Sequence, residues 1–336
     1  MATRAVRHGA IRDMFVEVER RWGDLGKLMD SSLRVERGAL SRSALERLFG
    51  HETLALVVPG FVARPEPLAQ ALVAASASTS ARNWSVSSSR GLESSDVQAV
   101  GGTPRGGRVG TVRFFVRVRP ATAGAFVRYN MAVASGATEA YFESDVASAS
   151  AFLRRACSGD GTDSSGGSVL DRLRSELDDH WAHGCSAHRD DRGRPHHAGL
   201  GRVMAGPTRF EEGFVHVDEL AAVSRSRGSF SANVYLRQPS EGGDLELWPL
   251  AFRSRWEFYA NAHTLSKLTS IDEGAQASLR AALPPPVVVP VDAGDLVLLC
   301  VQRPHAVQGW ATTETRASLQ SFLNFRGPAA PLTLEA

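Results

Sequence analysis

Two histidines and one aspartate have the residue types and the spacing of a metal-binding triad. His216 and Asp218 stand two residues apart in the apolar segment GFVHVDEL, and His305 opens a later segment, HAVQGW. Side chains at positions i and i+2 of a β-strand point to the same face of its sheet. Two imidazoles and one carboxylate are the set that holds non-haem Fe(II) with open coordination positions. We therefore predict that these three residues are metal ligands and catalytic residues.

A candidate carboxylate clamp follows the third ligand. Arg316 and Ser318 lie in the segment RASLQSFLNF, and they share one face if this segment is a strand. Arginine presents a planar fork of donors that grips a carboxylate through two hydrogen bonds, and the serine hydroxyl adds another. The sequence thus predicts a metal triad with a carboxylate clamp, Arg316 and Ser318, beside it.

A second H-x-D, His188-Arg189-Asp190, is a control for the first. It lies in the charged segment HRDDRGRPHH, where no apolar strand would aim its side chains, so we expect a solvated loop. The surrounding histidines and cysteine are His180, His183, Cys185, His188, His196 and His197. Their spacing matches no tetrahedral structural zinc site, although His-rich tracts do bind metals. We expect this segment to act as a lid over the site.

The elements that must position these residues are short strands. Beyond residue 200, apolar segments alternate with Gly, Pro, Asp and Ser, which is typical of a β-sandwich or jelly roll. The predicted strands are GFVHVDEL, SFSANVYLR, GDLELWPL, PVVVPV, DLVLLCV, HAVQGW and SLQSFLNF. The predicted fold class is an all-β core with helices.

The first part of the chain is more helical. Apolar residues at three- and four-residue steps predict a helical N-terminal extension over residues 1–50. Further predictions before residue 200 are a strand in 53–61, a helix over 67–77, strands at 109–118 and 125–133, and helices at 147–157 and 169–181.

Composition excludes several classes of protein. Lys and Arg number 38 against 36 Asp and Glu in 336 residues, so the basic excess of a nucleic-acid-binding protein is missing. Three widely spaced cysteines fit a reducing compartment better than a disulfide framework. The longest apolar tract, 284–301, contains two aspartates and a glycine and is too interrupted to span a membrane. We expect a soluble, cytoplasmic protein.

The combination of motifs resembles one enzyme family. H-V-D with a distal R-P-H, then R-x-S, together with NVYLRQPSEGGDLELW (233–248) and PVDAGDLVLL (290–299), is similar to the 2-oxoglutarate/Fe(II)-dependent oxygenases. The resemblance is most specific over 200–326. It implies a double-stranded β-helix, a cupin-like jelly roll, over residues 51–336. It also implies Fe(II), 2-oxoglutarate and O2 as cofactor and cosubstrates, with the triad on iron and the clamp on the distal carboxylate of 2-oxoglutarate.

The resemblance extends to the substrate class. The segments SSDVQAVGGTP (94–104) and GFVHVDEL are similar to those of stand-alone enzymes that hydroxylate or halogenate free or N-acylated amino acids. Halogenases of this kind replace the metal carboxylate by Gly or Ala, whereas this sequence keeps Asp218. The resemblance therefore implies hydroxylation of an unactivated C–H bond in a small, amino-acid-like substrate. Desaturation and cyclisation use the same ligand set and stay open.

Further residues are candidates for cofactor or substrate contacts. Asn233 and Tyr235 share one face of a predicted strand and are expected to contact 2-oxoglutarate, or else to form a polar pair in the interior. The substrate candidates are Thr103, Arg225, Arg227 and Trp248. For the arginines the competing interpretation is a solvated loop, and for the tryptophan it is the core.

Two other functions stay open. One is a non-catalytic jelly-roll module that binds a metal for sensing, and the other is an oxygenase acting on a protein or carrier-bound substrate. The clamp favours the enzyme, because a simple metal-binding barrel has no need of a second carboxylate grip. We expect a small-molecule substrate and no nucleic-acid or membrane partner, and the N-terminal extension would suit either a homodimer contact or a pocket wall.

Overall fold

The computed structural model describes residues 13–78, 120–121, 138–156, 168–208, 213–270 and 272–336. The strands in these residues are β1 (Val35–Arg37), β2 (Ala55–Val58), β3 (Pro120–Ala121), β4 (Cys185–Ala187), β5 (Leu200–Ala205), β6 (Gly228–Arg237), β7 (Leu245–Leu247), β8 (Val287–Val289), β9 (Leu296–Cys300), β10 (His305–Val307), β11 (Thr315–Phe325) and β12 (Leu332–Glu335). The helices are α1 (13–22), α2 (Arg42–Phe49), α3 (Pro65–Ser78), α4 (Val146–Ala156), α5 (Val169–His180), α6 (Arg255–Ala260), α7 (Ala262–Leu265) and α8 (Glu273–Ala282). Shorter helical turns cover Leu25–Leu28, Thr138–Ala140, Tyr141–Asp145 and Ser266–Thr269.

The strands form two sheets between which the chain alternates. The main sheet contains the antiparallel run β5-β11-β6-β9, and the minor sheet has the order β10-β7-β8. An isolated antiparallel bridge between His216 and His305 attaches the segment 213–218 to the free side of β10. In chain order, β5, β6, β9 and β11 belong to the main sheet, and the segments between them belong to the minor sheet. This winding is a double-stranded β-helix, so the predicted fold class is confirmed.

The two faces of the main sheet differ in chemistry because side chains alternate along each strand. On β6, Phe230, Ala232, Val234 and Leu236 join the largest apolar cluster, which includes residues of α2, α3 and α5. The alternate residues of β6 point the other way, toward the minor sheet, and are mainly polar. We call the space between the two sheets the barrel interior.

Two further apolar clusters hold the minor sheet. Inside the barrel, Leu245 and Leu247 of β7 pack with Val297 and Leu299 of β9. Outside it, a cluster that includes Trp248 covers the opposite face of the minor sheet with residues of α7 and α8. Both faces of the minor sheet are therefore packed.

The N-terminal segment contains a strand as well as helices. β1 pairs in parallel with β2, and β2 pairs antiparallel with β9, so residues 35–37 extend the main sheet. A three-residue strand is too short to show a two-residue hydrophobic period, which is why the sequence predicts only helix there. The division between residues 1–50 and 51–336 stays a prediction.

The strand predicted in GFVHVDEL (213–220) is wrong: this segment has only the isolated bridge at His216, because the N–H groups of Asp218 and Glu219 both turn to the carbonyl of Val301. The other predicted elements agree with the structure where it describes them. β2, α3, α4 and α5 lie within or overlap the ranges expected from the sequence. The strands predicted at 109–118 and 125–133 lie outside the described residues. Among the described helices, none has the length and apolarity needed to cross a bilayer.

Two glycines fix tight turns next to strands of the barrel. Gly242, between β6 and β7, has φ +72°, and a Cβ there would lie 2.2 Å from the carbonyl oxygen of Gly309. Gly294, before β9, has φ +104°, and a Cβ there would lie 2.6 Å from the carbonyl oxygen of Val62. Only glycine combines this left-handed backbone with such close approach.

Candidate metal centre

The predicted triad is brought together between the two sheets. His216 Nε2 lies 3.7 Å from Asp218 Oδ1, and His305 Nε2 lies 3.6 Å from Asp218 Oδ2. One ligand atom from each of the three residues lies within 4.8 Å of the others. Asp218 is held at its backbone, where its N–H donates to the carbonyl of Val301 over 3.1 Å. Three donor atoms from two segments of the fold therefore lie close together.

Both imidazoles are oriented by backbone carbonyls. The Nδ1 atom of His216 lies 3.0 Å from the carbonyl oxygen of Phe214, and Nδ1 of His305 lies 2.9 Å from that of Arg303. A carbonyl oxygen can only accept, so each Nδ1 carries the proton and donates it. Each Nε2 is then left with a lone pair directed toward Asp218. This arrangement is the usual one for histidines that bind a metal.

The electrostatic environment of His216 also suits metal binding. Burial and then the neighbouring His305 lower the pKa of His216 to about 4, against its ordinary value of 6.5. The ring is therefore neutral near pH 7, as metal ligation requires. The donor set, its tautomers and its charge all fit a divalent transition ion.

The carboxylate clamp lies on the inner face of the main sheet. Arg316 is buried, and its guanidinium lies 4.8 Å from the ring centroid of Tyr235. The Nε atom of Arg316 donates to Oε1 of Gln238 over 3.1 Å. Ser318, also buried, pairs across the sheet with Tyr235. The register of β11 on β6 thus places the two clamp residues and Tyr235 together.

Polar side chains continue along this inner face. Asn233 donates from Nδ2 to the hydroxyl of Ser231 over 2.9 Å, and it pairs across the sheet with Gln320. The buried Oε1 atom of Gln320 accepts no hydrogen bond from any described residue. Buried polar atoms nearly always have partners, so this oxygen marks a place for a bound water or ligand. Burial raises the pKa of the Tyr235 phenol, which keeps its proton.

Three of the four substrate candidates lie in described residues, and the structure gives none of these three a contact with the triad. Trp248 is a buried residue of the cluster outside the minor sheet, and its Nε1 donates to the carbonyl of Pro284 over 2.8 Å. Arg225 and Arg227 are exposed in a tight turn before β6. Thr103 lies outside the described residues.

Two inner-face residues were not anticipated from the sequence. Gln238 orients the clamp arginine, as described above. Arg202 of β5 pairs directly with Ser318, so it projects to the same face, and its positive charge contributes to the lowered pKa of His216. Gln238 lies within the segment 233–248 quoted above and Arg202 lies in no motif, and in both cases only the register of β5 and β6 on β11 reveals the contact with the clamp.

Comparison with known proteins gives structural matches only. No protein-family model matches the sequence, and no curated protein does. A crystal structure of an N-substituted L-amino acid dioxygenase from Burkholderia ambifaria AMMD aligns with 16% identity and a TM-score of 0.34, over 49% of this chain and 62% of that one. The chain thus spans less than two thirds of that structure.

Two further structures are similar at the same level. The same kind of dioxygenase in complex with alpha-KG aligns with 14% identity and a TM-score of 0.41, over 63% of this chain and 77% of that one. An oxidoreductase of the 2OG-Fe(II) oxygenase family from Burkholderia pseudomallei aligns with 13% identity and a TM-score of 0.33, over 90% of this chain and 98% of that one. At these scores the fold of this chain follows from its own strand order, and its function has to follow from its site.

Proposed function

We propose that this protein is an Fe(II)/2-oxoglutarate-dependent dioxygenase that hydroxylates a small, amino-acid-like substrate. The observation that carries the proposal is the convergence of two imidazole Nε2 atoms on the Asp218 carboxylate, inside a barrel whose inner face also holds the buried Arg316. A site that binds only a metal does not require a buried arginine on the same inner face, whereas a site that also binds a carboxylate does.

The triad would hold the iron through His216, Asp218 and His305. Three protein ligands on an ion that takes six leave open positions for cosubstrate and O2. When bound, Fe(II) with 2-oxoglutarate supplies the oxidising chemistry that inserts one oxygen atom into a C–H bond and releases succinate and CO2. The role of the chain is to bind and orient the cosubstrate and the substrate, and to exclude water.

The clamp would hold the distal carboxylate of 2-oxoglutarate. Arg316 offers its fork of donors, and the Ser318 hydroxyl lies on the same face of β11. Gln238 holds the guanidinium plane through Nε, and the Tyr235 ring lies against that plane. A planar fork held in this way is pre-organised for a carboxylate, which reduces the entropy lost on binding.

The inner face also supports an anionic substrate. Arg202 lies beside Ser318 across the sheet, close enough to the triad for its charge to act on His216. A carboxylate such as that of an amino acid would be attracted to this arginine. One of the similar structures is, by its description, an N-substituted L-amino acid dioxygenase, which makes amino acids and their N-acyl derivatives the first compounds to test.

The cofactor site is tested without knowledge of the substrate. Metal-free protein is given Fe(II) under anaerobic conditions, 2-oxoglutarate is titrated, and the visible metal-to-ligand charge-transfer band is recorded. We expect a saturable band in the wild type, no band in Asp218→Ala, and a weakened response to 2-oxoglutarate in Arg316→Ala. Arg225→Ala, which removes an exposed arginine, is the matched control and should titrate like the wild type.

The outcomes separate this proposal from its rival. If iron binds and no band forms with 2-oxoglutarate, the protein is a non-catalytic metal-binding jelly roll. If the band forms, turnover with candidate amino acids should yield succinate and a product heavier by one oxygen atom. A product lighter by two hydrogens would instead indicate desaturation or cyclisation at the same site.

A further inference from the structure

A second cluster of metal-binding residue types lies away from the triad. His188, His196 and Glu335 each offer a ligand atom, and the three atoms lie within 4.8 Å of one another. The two histidines come from the charged segment in which the sequence predicts a solvated loop and a lid. The structure instead places this segment at the edge of the main sheet, where β4 pairs with β12.

The two histidines are held opposite each other by a hairpin. The N–H of His196 donates to the carbonyl of His188 over 2.8 Å, and the N–H of His188 donates to the carbonyl of Leu334 over 2.7 Å. Asp190 closes the turn between them by accepting from the backbone N–H groups of Arg192 and Arg194. The backbone of His188 is therefore fixed to β12 directly, and that of His196 is fixed through His188.

The side chains of the cluster are oriented as well. His196 Nδ1 lies 3.0 Å from Glu335 Oε2, and the other oxygen of Glu335 accepts from Asn324 Nδ2 over 2.8 Å. His188 Nδ1 lies 3.3 Å from the hydroxyl of Thr333. The two imidazole rings are 4.7 Å apart and nearly perpendicular. Asn324 and Thr333 lie outside the ligand set, and bonds of this kind from neighbouring residues are what orient metal ligands.

We propose that His188, His196 and Glu335 form a second metal site, for which Zn²⁺ is the best match. Two imidazoles and one carboxylate with a water in the fourth position are a recurrent zinc ligand set. With metal–ligand bonds of about 2.0–2.2 Å, tetrahedral ligand atoms lie roughly 3.4 Å apart. His196 Nδ1 and Glu335 Oε2, 3.0 Å apart, are already close to that separation, and the ion would replace the proton that they share. A bound ion would join the hairpin to the last strand of the chain.

The competing interpretation is a hydrogen-bonded polar network that binds no ion. The number of metal ions per chain distinguishes the two, and it does not depend on whether the triad is catalytic. Metal-free full-length protein is titrated with Zn²⁺ in competition with a chromophoric chelator. We expect two equivalents in the wild type and one in His305→Ala, which disables the triad.

Further variants show which residues bind the Zn²⁺ equivalent that remains in His305→Ala. In the His305→Ala background, His188→Gln and, separately, Glu335→Gln should each abolish stoichiometric Zn²⁺ binding and the rise in melting temperature that Zn²⁺ produces. His183→Gln is the matched control, because His183 is an exposed histidine of the same tract outside the cluster. Circular dichroism establishes that each variant is folded.

Two results would overturn the proposal. One is a single equivalent in the wild type and none in His305→Ala, since this comparison leaves the cluster itself unaltered. The other is a second equivalent that survives both His188→Gln and Glu335→Gln, because it would then lie elsewhere in the chain. If Glu335→Gln were unfolded, His188→Gln alone would decide, since His188 is only partly buried.

Discussion

His216 and His305 exchange backbone hydrogen bonds although they are 89 residues apart in the sequence. The N–H of His216 donates to His305 over 3.0 Å, the N–H of His305 donates to His216 over 2.9 Å, and the two rings lie 4.4 Å apart. The pairing of two minor-sheet segments therefore sets the spacing of two proposed metal ligands. Asp218 then reaches both imidazoles because it lies two residues further along the same segment.

Gln238 should tune the affinity for 2-oxoglutarate through Arg316. Gln238→Ala removes the acceptor at Arg316 Nε and leaves the guanidinium less well oriented. A hydrogen bond contributes about 1 kcal/mol, so we expect roughly a five-fold weaker response in the anaerobic titration with 2-oxoglutarate, with iron binding unchanged. Gln70→Ala, on an exposed face of α3, is the control. An unchanged titration in Gln238→Ala would show that Arg316 is positioned without Gln238.

Arg202 should make the enzyme prefer anionic substrates over neutral ones. Arg202→Met keeps much of the side-chain volume and removes the charge beside Ser318. Loss of a charged hydrogen bond costs about 1.5–3 kcal/mol, so kcat/KM for a carboxylate substrate should fall roughly 10- to 150-fold. The charge-transfer band with 2-oxoglutarate should still saturate.

The matched control for Arg202 is Arg225→Met, in the exposed turn before β6. It should leave kcat/KM unchanged. If Arg202→Met instead abolished the band, Arg202 would belong to the 2-oxoglutarate site. Comparing an amino acid with its methyl ester in both variants measures directly how much of the preference depends on the substrate carboxylate.

The fold and the triad were predictable because their signals are local. Turn residues bound each strand, and the i, i+2 spacing of His216 and Asp218 is visible within three residues. Fold class was confirmed by the strand order. The roles of the site residues, and the boundary at residue 50, stay predictions.

What could not be predicted depends on register between distant strands. Gln238 and Arg202 reach the clamp only because β6 and β5 flank β11 in one particular alignment. Glu335 meets His188 only because β12 pairs with β4, across most of the C-terminal half of the chain. A shift of the strand pairing by one residue would turn each of these side chains to the opposite face. No local pattern in the sequence determines this register.

Trp248 should contribute to stability and not to substrate binding. Trp248→Phe leaves a cavity in the cluster outside the minor sheet and deprives the carbonyl of Pro284 of its donor. Partial loss of buried volume and one hydrogen bond together should lower the free energy of unfolding by about 2–3 kcal/mol, as measured by urea denaturation. KM for substrate should stay within two-fold of the wild type, roughly 0.4 kcal/mol or less. If Trp248→Phe raised KM without lowering stability, Trp248 would be a substrate-binding residue after all.

His51 should make the protein less stable in mild acid. Burial, followed by the charge of Arg303, lowers the pKa of His51 to about 4 from its ordinary 6.5. As the pH falls below 6.5, His51 becomes protonated in the unfolded chain, whereas in the folded chain it stays neutral until about pH 4. The free energy of unfolding should therefore fall progressively between pH 6.5 and pH 4, by at most about 3 kcal/mol from this residue, and be insensitive to His51 above pH 7.

The measurement for His51 is the urea midpoint of metal-free protein at several pH values, in the wild type and in His51→Asn. Asparagine is chosen because His51 has φ +58°, a left-handed conformation that asparagine adopts more readily than most residues. The variant removes the titration of this ring and also its contacts with Phe230 and Ser224, whose loss shifts the whole profile, while His216, which also has a lowered pKa, titrates in both proteins. The difference between the two pH profiles therefore isolates His51, and parallel profiles from pH 7 to pH 4 would contradict the assignment.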